Sequence, residues 1–150
     1  MKKFLLVFAV LLAFGYSAWA QIDNPVKWSY ASKKTGDKDA VIFLKATIQK
    51  GWHIYSQTEQ GGPAKSSFTF SKSKDYTPVG KIVEPKPLQR YEQAFSMNIG
   101  YFETAVVFQQ KIKLGTAKSP AVKGALGYIA CNDHKCNPPE EVEFNIPISN

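Results

Sequence analysis

The sequence predicts an all-β chain, an immunoglobulin-like antiparallel β-sandwich. Three observations carry that expectation. Apolar and polar residues alternate at period 2 through most of the chain, and helical periodicity is hard to find. The apolar runs are short, about seven or eight of them, with turn signals between them. Their alternation implies sheets that are wet on one face, as antiparallel sheets are.

The first twenty residues read as an export signal rather than as part of the fold. Lys2 and Lys3 supply a positive start, Phe4 to Tyr16 is an uncharged apolar run, and Ala18-Trp19-Ala20 is a small-x-small cleavage site. The run is about thirteen residues, short of the roughly twenty that span a bilayer. Cleavage after Ala20 leaves residues 21–150, which are expected to form one domain with its own core.

Trp28 and Tyr30 alternate in a first strand, and Lys33 to Asp39 form a polar turn around Gly36. Val41 to Ile48 is a strand, with Ile42, Leu44, Ala46 and Ile48 on one face and Lys45 and Thr47 on the other. Trp52 to Tyr55 is extended. Gln57 to Lys65, which contains Gly61-Gly62-Pro63, is a loop. Phe68 and Phe70 mark another strand. Pro78, Pro85 and Pro87 break the middle of the chain, and residues 84–100 are expected to be a long irregular loop. Strand character resumes at Ala105 to Ile112, again at Val122 to Cys131, and finally where Val142, Phe144, Ile146 and Ile148 alternate with polar residues.

Charge narrows the partners. After cleavage, 17 Lys and Arg stand against 12 Asp and Glu, a formal +5. The lysines are scattered, with no block longer than two, as on a solvated surface. An exported chain without a basic helix does not read as a nucleic-acid binder, and no later segment is apolar enough to insert into a membrane.

The only cysteines, Cys131 and Cys136, form a C-x4-C motif around Asn132-Asp133-His134-Lys135, which is turn chemistry. They are expected at the mouth of a hairpin and, in an oxidising compartment, to pair. The bond closes a loop of about six residues, worth about 2 kcal/mol against about 4 for a loop of roughly sixty. A short, exposed disulfide suits exchange better than it suits holding a fold. His134 and Lys135 beside it would favour a thiolate. Other uses stay open at this level: a local staple in a non-catalytic protein-binding module, or a copper or zinc site built from both cysteines, His134 and His53. No nucleophile elbow or paired catalytic carboxylates suggest a hydrolase.

Three segments together resemble the N-terminal, periplasmic, immunoglobulin-like domain of the thiol:disulfide interchange protein DsbD family. They are Gly51-Trp52-His53-Ile54-Tyr55-Ser56, Tyr91-Glu92-Gln93-Ala94-Phe95-Ser96-Met97, and Gly127-Tyr128-Ile129-Ala130-Cys131 with Cys136-Asn137-Pro138-Pro139-Glu140. The resemblance covers essentially the whole chain after the signal. It implies a soluble periplasmic electron carrier without a cofactor, expected to be a monomer. Its dithiol would take electrons from a thioredoxin-like donor and pass them to oxidised thiol proteins. By position, Cys136 would form the mixed disulfide and Cys131 would resolve it. A cap loop would shield the pair, with Phe95 as the covering ring and Tyr91 as the alternative, and Tyr55 would line the site. The sequence departs from the family pattern in two places: His53 stands where a second aromatic is expected, and Glu92-Gln93 where paired acids are expected. The family protein continues into a membrane electron channel and a thioredoxin-like domain. With this sequence ending at Asn150, either separate proteins would supply the electrons or the fold would persist without the shuttle.

Overall fold

The computed structural model describes residues 24–58, 65–92, 96–116 and 120–148. The expected export signal, the Gly61-Gly62-Pro63 segment of the expected loop and Phe95 lie outside the described residues.

Eleven strands and no helix are found among the described residues. They are β1 (Val26–Lys34), β2 (Asp39–Ile48), β3 (His53–Tyr55), β4 (Ser67–Phe70), β5 (Tyr76–Val83) and β6 (Leu88–Glu92), then β7 (Met97–Glu103), β8 (Ala105–Leu114), β9 (Ala121–Tyr128), β10 (Ala130–Cys131) and β11 (Glu140–Pro147). All pair antiparallel, in three sheets ordered β1-β2-β8-β5, β10-β3-β7-β6 and β11-β9-β4.

The expected alternation builds the core. Ile42, Leu44, Ala46 and Ile48 of β2 are buried, and β8 adds Val106, Phe108 and Ile112 on the same face. Phe108 is the hub, with ring centroids 4.8 Å from Phe68 of β4, 5.9 Å from Phe102 of β7 and 6.1 Å from Trp28 of β1. Trp28 also meets Tyr128 of β9 edge-on at 5.6 Å, and Tyr30 lies 6.0 Å from Phe144 of β11. The large sheet therefore packs its inner face against rings from both smaller sheets, which makes the sandwich. Gly124 is required here, because a Cβ would stand 2.1 Å from the Thr69 carbonyl oxygen and 2.6 Å from the Phe144 ring.

Two local devices shape the sheets. In β5 the register shifts between Val79 and Val83, where Gly80 adopts a φ of 70°. Buried Gln110 fills the irregularity by donating to the Val79 carbonyl at 2.9 Å. Between β7 and β8 the chain changes sheets through Thr104 alone, at a φ of 63°, and the Thr104 carbonyl accepts from Ile48 N at 2.8 Å.

Several expectations from sequence are corrected. The segment 84–100 is not an irregular loop: β6 and β7 form a hairpin across most of it, so the strand count exceeds seven or eight. Pro85 and Pro87 precede β6 rather than interrupt it. Pro78 sits inside β5, tolerated because β5 is an edge strand whose outer side needs no donor. Val122 to Cys131 is not one strand either. It divides at Ile129 into β9 and β10, which belong to different sheets.

Candidate functional site

The cysteine pair lies at one edge of the second sheet. Ala130 and Cys131 of β10 pair with Ile54 and His53 of β3. Ala130 and Ile54 face the core, so Cys131 and His53 share the other face. The chain then turns through Asn132–Lys135. Asn132 N donates to the Lys135 carbonyl at 2.8 Å, and the Asn132 side-chain oxygen accepts from the backbone N–H groups of His134 and Lys135, both at 2.9 Å. That Asx turn brings Cys136 back opposite Cys131 in an antiparallel bridge, where the two form a disulfide with their Cα atoms 4.0 Å apart.

The two sulfurs have different surroundings. Cys131 is 1% exposed and packs with Tyr55 and Ile99, against Met97, Tyr101 and Ile129. Cys136 is exposed. One end of the bond therefore faces solvent and the other is shielded by apolar and aromatic side chains.

The remaining residues on this face follow from register. Tyr55 stands opposite Tyr101, Tyr101 opposite Leu88, and Ile99 opposite Arg90. Arg90 is the centre of the polar contacts. Its Nη2 lies 3.0 Å from His53 Nε2, its Nε is bonded to the Glu92 carboxylate, and its guanidinium carbon stands 5.1 Å over the Tyr101 ring. Its Nη1 reaches Asp133 of the cysteine turn at 4.0 Å. A guanidinium can only donate, so His53 Nε2 must be the unprotonated nitrogen and Nδ1 carries the proton. The His53 ring meets Tyr55 and Tyr101 edge-on at 5.3 and 5.5 Å. Burial, then the Arg90 cation, hold the His53 pKa down to about 4, against the opposing charges of Glu92 and Asp133. Burial, then Glu92, push the Tyr55 phenol up, with Arg90 opposing.

Of the side chains singled out from sequence, Cys131, Cys136, His53, Tyr55 and Glu92 come together here. His134 is exposed on the turn. Lys135 carries its Nζ 5.6 Å over the Trp52 ring, and Trp52 itself belongs to the core. Tyr91 is 61% exposed and alternates with Arg90 and Glu92, so it points to the opposite face of β6. Phe95 is outside the described residues. Both sulfurs are bonded to each other, and among the described residues no three His, Cys, Asp or Glu side chains gather as a metal-binding group. Arg90 was missed because the stretch 84–100 that holds it was read as loop; Tyr101, just beyond that stretch, was assigned to no element either. Read as a strand, Leu88–Glu92 would have placed Arg90 and Glu92 on one face two residues apart.

Fold and site together define a class: an all-β immunoglobulin-like sandwich that presents a hairpin disulfide at a sheet edge, one sulfur open and one shielded. The sequence model of the family described as "Thiol:disulfide interchange protein DsbD, N-terminal" matches residues 24–147. The chain belongs to this family. Among solved structures, it is similar to the N-terminal periplasmic domain of ScsB from Proteus mirabilis at a TM-score of 0.59 and 16% identity, over 84% of this chain and 47% of that one. It is also similar to the Neisseria meningitidis DsbD N-terminal domain in the reduced form, at a TM-score of 0.49 and 18% identity over 78% and 82% of the two chains. No curated protein sequence matches it significantly. Among the described residues no helix is long and apolar enough to cross a membrane.

Proposed function

We propose that this chain is a periplasmic thiol–disulfide exchange domain that carries reducing equivalents through Cys131 and Cys136. The observation that carries the reading is the asymmetry of the disulfide: Cys136 is exposed while Cys131 is 1% exposed. Exchange needs a sulfur that an incoming thiolate can reach and a second sulfur that leaves in the opposite direction.

The partner's thiolate attacks Cys136 Sγ. A bond forms between the partner sulfur and Cys136, the Cys131–Cys136 bond breaks, and its electron pair leaves on Cys131 as a thiolate. The partner's second thiolate then attacks its own sulfur in the mixed disulfide. This releases Cys136 as a thiolate and leaves the partner oxidised. Two protons from solvent complete the dithiol. Run in reverse against an oxidised thiol protein, the same steps deliver two electrons. Family membership favours a thioredoxin-like donor, and Phe95 is the proposed shield of the pair between encounters.

The test is trapping. Cys131→Ser, with Cys136 activated as its thionitrobenzoate mixed disulfide, is offered to a thioredoxin-like protein that keeps only its nucleophilic cysteine. The partner's thiolate bonds to Cys136 Sγ as thionitrobenzoate leaves, no second thiol on either chain resolves the bond, and a stable adduct is expected on a non-reducing gel and by mass. Cys136→Ser is expected to form none. If neither variant yields an adduct while both stay folded, the carrier reading gives way to that of a binding module with a local staple.

A further inference from the structure

The exchange step creates a problem that the apolar surroundings of Cys131 do not solve. When the Cys131–Cys136 bond breaks, negative charge appears on a sulfur that is 1% exposed. Burial of an unpaired thiolate is unfavourable, and a thiol that leaves poorly slows the exchange.

The charged and titratable groups around Cys131 come from four places. Strand β3 contributes His53, directly opposite Cys131, and Tyr55. Directly opposed side chains in an antiparallel pair have Cβ atoms about 4.5–5.5 Å apart. Strand β7 contributes Tyr101, with Glu103 exposed beyond His53. Strand β6 contributes Arg90 and Glu92. The turn contributes Asp133, His134 and Lys135. His53 is kept neutral by burial and then by the Arg90 cation beside it, and Lys135 lies over Trp52, which alternates with His53 and turns to the core. Among the described residues, Arg90 is therefore the cation that reaches the Cys131 face of the sheet, at His53 and over Tyr101. It also engages Glu92 and Asp133, the two carboxylates that would otherwise oppose a thiolate there.

We propose that Arg90 is a positioning residue for exchange: acting through His53, it keeps positive charge beside Cys131, so that this sulfur departs as a thiolate. The inference rests on the exchange reading above. It adds a group that sits where the sequence departs from the family pattern, since it is His53 that accepts the guanidinium. The same guanidinium binds Glu92 at the end of β6 and comes within 4.0 Å of Asp133 in the cysteine turn.

The test isolates the thiol. In the full chain carrying Cys136→Ser, Cys131 is the sole thiol, and its ionisation is followed by thiolate absorbance as pH is raised. Arg90→Gln is expected to move the midpoint up by about one unit or more, the size expected for losing an opposite charge nearby. Arg90→Lys restores the charge without the fork and is expected to recover most of that shift. Glu92→Gln is expected to move the midpoint down. A midpoint in Arg90→Gln within about a third of a unit of the parent overturns the proposal. Should Arg90→Gln melt before it can be titrated, Glu92→Gln decides, and an unchanged midpoint there overturns it equally. The titration uses no partner protein. A failure of exchange appears instead in the trapping experiment, so the two ideas fail separately.

Discussion

His53 makes the acid stability of this fold calculable. The side chain is 2% exposed and its Nε2 accepts from Arg90 at 3.0 Å. Its pKa is held down to about 4 in the folded chain. In the unfolded chain the imidazole titrates at about 6.5. Between those values the unfolded chain binds a proton that the folded chain does not. Stability is therefore full above the unfolded pKa and is lost as pH falls towards the folded one. A gap of about 2.5 units corresponds to about 3 kcal/mol, of which about 2 kcal/mol is gone by about pH 5. His53→Gln removes the titration while its amide oxygen can still accept from Arg90. Urea unfolding of both proteins at about pH 7.5 and about pH 5 is expected to show the parent losing about 2 kcal/mol more than the variant. Carboxylates elsewhere titrate alike in both proteins and cancel in the difference. Equal losses in the two would refute the reasoning, because they would mean that the buried imidazole accepts its proton without leaving the fold.

Two further outcomes are expected. Phe108→Ala empties the hub where rings from three other strands meet, and should cost about 3–5 kcal/mol in urea unfolding, with little change in which cysteine can be trapped. Reduction of the disulfide should cost only about 2 kcal/mol, because the closed loop is short; equilibrium unfolding with and without a reductant measures it, and loss of the fold on reduction would show the bond to be a staple.

The sandwich was legible because its evidence is local. Ile42, Leu44, Ala46 and Ile48 must share a face in any extended chain, and that face has to be buried. The cysteine turn was legible for the same reason, since Asn132 caps a turn by bonding to backbone two and three residues on. The β6–β7 hairpin was not legible. An edge strand such as Leu88–Glu92 needs no buried alternation, and the charged residues that protect an edge look like a loop when read in sequence. With that strand unread, Arg90 had no reason to be noticed. Tertiary structure alone also decided which sulfur is open. Both cysteines flank the same turn, but Cys131 is covered by Tyr55 and Ile99 from two other strands, while nothing comparable covers Cys136 among the described residues. Sequence by itself determined that two sulfurs would meet at a turn on a β-sandwich. The packing of distant strands determined which of them a partner can reach, and which guanidinium meets the His53 that stands opposite Cys131, because those contacts join residues up to about eighty positions apart that share no local pattern.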